Sequence, residues 1–199
     1  GEIAIKEPKR VALSLLFDNF TLEEILDMNN PCVKAFETNE IKMLHTMWQK
    51  ALNAPLTSSV GRLFDAIASF ADILQTQSYE GETGLQIEQY YDASIKENYS
   101  YEISHNQIDL SLMIKEIILD NDKKLICSKF LNTIVKIIED LSNTYKNLPL
   151  VISGGVFQNK ILLQILIGKF QKQGREFYFN IDIPANDGGL SIGQIYHKI

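Results

Sequence analysis

The sequence has few of the residues that build common catalytic and metal sites. It contains two cysteines, Cys32 and Cys127, and three histidines, with no CxxC pair and no HxxxH spacing. No complete zinc site or Ser-His-Asp triad can therefore be recognised in it. We interpret both cysteines as reduced thiols, and we expect Cys127 to be a buried small residue on the apolar face of a helix.

Long apolar runs and basic stripes are also missing. No apolar run approaches the roughly 18 residues that a membrane-spanning helix needs, and the first residues lack the layout of a signal peptide. The net charge is −6, and the lysines and arginines are scattered singly along the chain. The phosphate backbone of a nucleic acid would therefore find no cluster of positive charges to bind. We therefore expect a cytoplasmic chain with neither nucleic acid nor a membrane as partner.

The sequence does contain enough apolar residues for a sizeable core. Its 199 residues are 45% hydrophobic, which suits one compact domain or two small ones that share a core. Apolar spacing predicts that residues 1–57 and 83–146 are mainly helical, whereas residues 147–199 alternate between strand, glycine turn and helix. The predicted helices are an opening helix from Lys6, then 22–28, 40–52, 58–70, 111–119, 123–145 and 159–170. Residues 99–108 are predicted to form one strand.

A double glycine follows the short apolar strand that ends at Ser153. Gly154 and Gly155 lack a Cβ, so backbone could approach a flat or anionic ligand there, and the helix that begins near Asn159 would offer free N–H groups. Such a turn suits a nucleotide. The alternative is that the two glycines only make a tight turn from strand to helix.

A second glycine pair follows Asp187. The Asp187 carboxylate could hold a divalent metal near a phosphate group, since hard oxygen ligands suit such ions. Alternatively, Asp187 is the N-cap of the closing helix. Two such turns within 35 residues could form opposing walls of one cleft.

A polar stripe with Asp65 runs along the helix predicted over residues 58–70. The Asp65 carboxylate could accept the two hydroxyl groups of a ribose. The alternative is an exposed face on which Arg62 and Asp65 form an i,i+3 ion pair worth a few tenths of a kcal/mol. Gly81, in the turn that follows, would permit close approach of a ligand or would end a helix.

Five motifs in order make the chain resemble the HypF family of hydrogenase maturation carbamoyltransferases over essentially its whole length. They are Lys6-Glu7-Pro8 with Arg10, Ser59 to Ala66, Tyr79-Glu80-Gly81-Glu82, Ser153 to Asn159, and Asn186 to Leu190 with Gly193-Gln194. In that family this region is the C-terminal lobe of a domain similar to the threonylcarbamoyl-transferring proteins Kae1 and TsaD. The resemblance implies an α/β, helix-rich fold, one lobe of the actin and Hsp70-like nucleotide-binding (ASKHA) fold with a mostly helical insertion, over residues 1–199.

The resemblance also implies roles for individual residues. Gly154 and Gly155 would line the nucleotide cleft, and Asn159 and Asp65 would contact the adenylate portion of ATP or carbamoyl-adenylate. Asp187 would be a ligand of a divalent metal, zinc, iron or magnesium. Gly81 and Glu82 occupy the place of a glycine pair in the threonylcarbamoyl-transferring relatives, with Glu at the second position. No residue of this chain is assigned a catalytic role.

The function implied is carbamoyl transfer from carbamoyl-adenylate to the C-terminal cysteine of the partner HypE, for synthesis of the cyanide ligand of nickel–iron hydrogenase. We expect this chain to be part of a longer polypeptide whose upstream lobe supplies the remaining metal ligands, and to be inactive alone. Two alternatives remain: another enzyme with the ASKHA fold, such as a threonylcarbamoyl transferase or a kinase, or a non-catalytic interaction lobe.

Overall fold

The computed structural model describes residues 2–105 and 107–197. The helices are α1 Ile3–Lys6, α2 Pro8–Asn19, α3 Leu22–Asp27, α4 Pro31–Lys34, α5 Thr38–Gln49, α6 Val60–Phe70, α7 Glu82–Gln89, α8 Ser111–Ile117, α9 Lys123–Thr144, α10 Lys160–Lys172 and α11 Leu190–Tyr196. The strands are β1 Glu102–Ser104, β2 Gln107–Asp109, β3 Leu150–Ile152 and β4 Phe177–Phe179. The predicted helices are confirmed, with ends that move by a few residues.

The chain divides into two compact units, Gly1–Thr133 and Ile134–Ile199. The division falls inside α9, because the first half of this helix packs within unit 1. The composition of the sequence changes later, near residue 147, where the strand and glycine elements begin.

The core of unit 1 is built around α2 and α6. Helix α2 packs along α6, which also packs against α7. The buried face of α2 carries Ala12, Leu13, Leu16 and Phe17. Every residue of α6 from Phe64 to Phe70 is buried, so this part of the helix has no solvent-facing side, whereas the first turn, from Val60 to Leu63, is partly exposed. The first half of α9 joins the same core, where the rings of Phe64 and Phe130 meet edge to face at 4.8 Å.

Local signals in the sequence explain where the first helices begin. Thr21 caps α3 through a capping box with Glu24, in which each side chain binds the other residue's backbone N–H group. The segment 29–31 leads into α4. Asn30 accepts a hydrogen bond from the Cys32 N–H group at 2.9 Å, and Pro31 occupies the first helical position, where its missing N–H group costs nothing.

The single strand predicted over residues 99–108 is wrong. Strands β1 and β2 form an antiparallel hairpin with Ile103 opposite Ile108. Tyr99 is outside it and fully buried, with its hydroxyl group donating to Asp120 Oδ2 at 2.8 Å. Lys129 donates to the same oxygen atom and lies 4.0 Å from the centre of the Tyr99 ring. Burial and the acidic partner raise the pKa of the Tyr99 hydroxyl group, which therefore stays a hydrogen-bond donor.

Unit 2 contains a small parallel sheet packed against α10. Strands β3 and β4 pair in parallel, with Val151 beside Tyr178. The apolar face of α10 buries Leu162, Leu166 and Phe170, and the Phe170 ring stacks on Phe177 at 5.3 Å. Strand, glycine turn and helix thus follow in the order that the sequence predicts. No helix of the described residues is long and apolar enough to cross a membrane.

The packing of α2 on α6 can be tested by removing one core side chain. We expect Leu16→Ala to lower the free energy of unfolding by about 2–5 kcal/mol, because Leu16 is fully buried and its loss leaves a cavity. Leu85→Ala on α7 is the matched control, since Leu85 is half exposed, and should change stability by about 0.5 kcal/mol or less. Urea unfolding measures both. Equal losses in the two variants would contradict this account of the core.

Candidate functional site

Asp65 lies on the buried helix α6 and is held by two neighbours. Its residue surface is only 2% exposed. Thr83 Oγ1, from the first turn of α7, donates a hydrogen bond to Asp65 Oδ1 at 2.7 Å. Arg62 Nη1 lies 2.7 Å from Asp65 Oδ2, in an ion pair whose angle is too poor for a hydrogen bond. The predicted i,i+3 pair is therefore formed, but the prediction of an exposed face is wrong.

The environment of Asp65 disfavours its charged form. Burial raises the pKa of the Asp65 carboxyl group, the Thr83 hydrogen bond and the Arg62 charge lower it, and the nearby Glu80 charge raises it again, with a net shift upward. Oδ2 has no hydrogen-bond donor among the described residues. A buried carboxylate oxygen in this state would gain from a donor such as a ligand hydroxyl group.

Gly81 and Glu82 form the turn that leads into α7. Gly81 has φ 85° and directly precedes the helix, so it begins a helix and does not end one. A Cβ at Gly81 would meet no atom within 4 Å. The Glu82 carboxylate accepts the Ser78 N–H group at 2.6 Å. This turn therefore lies next to Asp65 in unit 1, because Thr83 connects the two.

Gly154 and Gly155 follow β3 in an exposed turn. Gly154 has φ 108° and ψ 159°, a conformation essentially restricted to glycine. Gly155 lies outside the left-handed region and starts a short 3₁₀ turn over Gly155–Gln158. A Cβ at either position would meet open space. The backbone of this turn is therefore open to approach from outside unit 2.

Asn159 is the N-cap of α10 and lies beside that glycine turn. Its Oδ1 accepts the Leu162 N–H group at 2.9 Å, and the residue is buried. This contact pairs one of the free N–H groups of the first helical turn. Asn159 thus has a structural role, as a helix cap, in addition to the ligand contact that the resemblance implies.

Asp187 is exposed at the start of the short 3₁₀ turn before α11. The alternative that Asp187 is the N-cap of the closing helix is wrong, because Gly189 is the N-cap of α11, and Asn186 Oδ1 caps the preceding 3₁₀ turn by accepting the Gly188 N–H group at 3.0 Å. Within the described residues, the Asp187 carboxylate makes no hydrogen bond or ion pair. A Cβ at Gly189 would approach the Pro184 carbonyl oxygen to 2.6 Å, so the close packing of this loop requires glycine there.

The predicted residues thus fall into groups within each unit. Asp65, Gly81 and Glu82 are neighbours in unit 1, whereas Gly154, Gly155 and Asn159 are neighbours in unit 2. Sequence reasoning missed Thr83 and Asn186, which fix the geometry around Asp65 and Asp187. A threonine in the first turn after Gly81, and an asparagine directly before the acidic residue, are the signals that could have identified them.

The histidines do not join any of these residues. His45 stacks on Trp48 at 5.8 Å, His105 Nδ1 lies 2.8 Å from Ser104 Oγ, and His197 is the C-cap of α11. Across residues 2–105 and 107–197, no group of three or more histidine, cysteine, aspartate or glutamate side chains is arranged to hold a metal ion. Asp187 can supply one hard oxygen ligand, which suits zinc, iron or magnesium.

Comparisons with known proteins identify the family of this chain. Residues 1–194 match the family model described as carbamoyltransferase, Kae1-like domain, second subdomain. The chain is 32% identical to carbamoyltransferase HypF of Synechocystis, and the match covers 98% of this chain and 28% of the Synechocystis protein. It is 28% identical to the probable carbamoyltransferase HypF of Methanocaldococcus jannaschii, over 98% of this chain and 26% of that one.

Solved structures of HypF proteins also match this chain. A crystal structure of full-length HypF in its phosphate- and nucleotide-bound form matches all of this chain and 32% of that one, with TM-score 0.84 and 32% identity. HypF of T. kodakarensis has the same fold, with TM-score 0.79 and 20% identity over 28% of its chain. This chain therefore spans between a quarter and a third of the length of these proteins.

The fold and the two glycine turns define a helix-rich α/β lobe of the Kae1-like type. The family match over residues 1–194 makes the assignment specific. The chain belongs to the family that forms the second subdomain of the Kae1-like domain of carbamoyltransferases. The expected fold class is confirmed.

Gly154 and Gly155 offer a test of backbone strain with a matched pair. We expect Gly154→Ala to lower the free energy of unfolding by about 1–3 kcal/mol, because its backbone angles exclude other residues. Gly155→Ala should cost little, or even stabilise by about 0.4–1 kcal/mol, because it reduces the freedom of the unfolded chain. Urea unfolding distinguishes the two. A loss in Gly155→Ala as large as in Gly154→Ala would contradict the assignment.

The raised pKa of Asp65 predicts a pH dependence of stability. Because the folded state binds the Asp65 proton more tightly than the unfolded state, stability falls as pH rises from the ordinary pKa of 3.8 towards the folded pKa. Asp65→Asn removes this titration. The free energy of unfolding of the parent minus that of Asp65→Asn should therefore decrease as pH rises above about 4. A difference that increases with pH would mean that the folded pKa is lowered.

Proposed function

We propose that this chain is the second subdomain of a HypF-type enzyme that passes a carbamoyl group from carbamoyl-adenylate to the C-terminal cysteine of HypE. The cysteine sulfur, having lost its proton, attacks the carbamoyl carbon. The new S–C bond forms as the C–O bond to the adenylate phosphate breaks, and AMP leaves. The resulting thiocarboxamide is the precursor of the cyanide ligand of nickel–iron hydrogenase.

The observation that carries the proposal is the family match over residues 1–194, together with the open glycine turn at the end of β3. Relatives that match along 98% of this chain are named carbamoyltransferase HypF. One solved HypF structure is described as phosphate- and nucleotide-bound. Since the chain covers 28% of the Synechocystis relative, formation of carbamoyl-adenylate is assigned to the remaining domains of the same polypeptide.

The proposal assigns nucleotide contacts to several residues of this chain. The backbone at Gly154 and Gly155 approaches the ligand because no Cβ stands in the way. The N-terminus of α10, which Asn159 caps, contributes the positive end of a helix dipole. The Asp65 carboxylate, whose Oδ1 accepts a hydrogen bond from Thr83, is the proposed acceptor for the ribose hydroxyl groups. Gly81 and Glu82 form the turn beside this carboxylate.

Asp187 supplies one oxygen ligand to a divalent metal in the same proposal. Its exposure and its lack of a partner among the described residues support this role. The metal would neutralise negative charge on the phosphate groups of the nucleotide. The other ligands come from the upstream lobe, and the metal is zinc, iron or magnesium.

The two thiols of this chain support an acceptor that comes from a partner. Cys32 and Cys127 are both fully buried. Burial raises the pKa of each thiol to about 12, so both are protonated at neutral pH. Because the thiolate is the nucleophilic form, neither residue can readily attack a carbamoyl group.

The nucleotide site can be tested with a matched pair of capping residues. Asn159 and Asn30 both cap a helix through Oδ1. Serine caps as well as asparagine, so Asn159→Ser and Asn30→Ser should both fold normally. We expect Asn159→Ser to weaken binding of ATP with Mg²⁺ by roughly two- to tenfold, the value of one hydrogen bond. Asn30→Ser should leave it unchanged.

Calorimetric titration into this chain measures both variants against the parent. No binding by the parent would overturn the assignment of nucleotide contacts to this chain, and would favour a scaffold role for it. Equal weakening in Asn30→Ser would show that the effect arises from general loss of structure and not from a ligand contact at Asn159.

A further inference from the structure

We infer that Arg175 is a positioning residue for the glycine turn at Gly154 and Gly155. Its guanidinium group holds the segment that enters β3, and thereby sets where the turn at the other end of β3 lies. The contacts of Arg175 stand independently of any ligand. Its effect on nucleotide binding rests on the function proposed above.

Arg175 binds three carbonyl groups of the segment between α9 and β3. Nη1 donates to Ser142 O at 2.7 Å, and Nη2 donates to Tyr145 O at 3.0 Å and Leu148 O at 3.3 Å. Ser142 belongs to the last turn of α9, and its carbonyl group also accepts the Tyr145 N–H group at 3.0 Å. One planar, charged group therefore holds residues 142, 145 and 148 in a fixed arrangement. Arg175 Nε is buried without a partner among the described residues, so the two Nη atoms make all of these contacts.

The end of α10 holds Arg175 from the other side. Gly174 has φ 63°, and its N–H group donates to Gln171 O at 3.0 Å. The Arg175 N–H group donates to Phe170 O at 3.1 Å. These two bonds form a Schellman motif, for which a glycine in the left-handed conformation is the usual requirement. The backbone of Arg175 is therefore fixed before its side chain reaches the α9 end.

The backbone then connects Arg175 to the glycine turn. The Leu150 N–H group donates to Glu176 O at 2.9 Å, directly after Arg175, and Leu150 pairs with Phe177. Strand β3 has only three residues and ends at Ile152. A strand keeps a fixed rise per residue, so a shift at residues 148–150 is carried to Gly154. Register and entry point of β3 both depend on residues 175 and 176.

Lysine cannot replace arginine at this position. An ammonium group is a compact point charge, whereas the three carbonyl groups are bound by two nitrogen atoms of one planar fork. The substitution Arg175→Lys keeps the charge and removes the geometry. Lys169 provides a control on the same helix end, because it donates to Glu139 on α9 at 2.8 Å and does not bind the 142–148 segment.

The experiment measures hydrogen exchange and nucleotide affinity in the whole chain for the parent, Arg175→Lys, Arg175→Ala and Lys169→Ala. The informative amides are Leu150, bonded to Glu176 O, and Phe157, bonded to Gly154 O at 3.0 Å. We expect both to exchange roughly tenfold to hundredfold faster in Arg175→Lys, the value of a hydrogen bond to a charged group. Amides of α2 and α6 should be unaffected, and affinity for ATP with Mg²⁺ should fall.

Lys169→Ala should change neither the hydrogen exchange of the Leu150 and Phe157 amides nor the affinity for ATP with Mg²⁺. In Arg175→Ala, low concentrations of guanidinium chloride should partly restore the slow exchange and the affinity. Unchanged exchange in Arg175→Lys, the same loss in Lys169→Ala, or faster exchange without weaker binding would each overturn the inference. A parent that binds no nucleotide would overturn the proposed function instead. The exchange of Leu150 and Phe157, with the guanidinium response, would then decide alone whether Arg175 positions the turn.

Discussion

Unpaired backbone groups at helix ends are the constraint on which much of this structure depends. Each helix leaves N–H groups at its start and carbonyl groups at its end without partners in the helix. Here Thr21, Asn30 and Asn159 pair N–H groups at helix starts, and Arg175 donates to Ser142 O in the last turn of α9 and to two carbonyl groups after it. These contacts fix where the chain enters α3, α4 and α10 and where it leaves α9. The proposed ligand contacts lie at two such positions, the start of α7 and the start of α10.

Several motif residues have structural contacts besides their proposed function. Asn159 caps α10, Glu82 binds the Ser78 N–H group, and Asp65 binds Thr83. A capping side chain has a defined orientation, since its own hydrogen bond fixes it. Such residues are therefore preorganised for a ligand at low entropic cost. Because these residues have two roles, an alanine substitution would affect folding and binding together. The substitution Asn159→Ser avoids this, because serine can still cap the helix.

The sequence predicts well those features that depend on neighbours along the chain. The helix over residues 60–70, the turn after β3 and the Arg62–Asp65 pair all follow from local spacing. The burial of Asp65 could not be predicted, because it results from the packing of α2 and α7 against α6. The hairpin at residues 102–109 was missed because no glycine marks its turn.

Longer-range contacts lie further from what a sequence can reveal. Arg175 meets Ser142 across 33 positions, and no local pattern connects them. Asn186 shows the opposite case, in which the pattern was local but ambiguous. Both Asn186 and Asp187 are good N-cap residues, and only the structure decides that the neutral one caps. The charged residue, Asp187, is left exposed.

Burial of the thiols bears on which cysteine accepts the carbamoyl group in the proposed transfer. A carbamoyl group on Cys32 or Cys127 would need a thiolate inside an apolar core, where burial raises the pKa of both thiols to about 12. At pH 7 this leaves roughly one molecule in 10⁵ ionised at each position. A partner cysteine on an exposed C-terminus pays no such desolvation cost. The burial of both thiols is therefore in keeping with the proposal that the nucleophile comes from a partner.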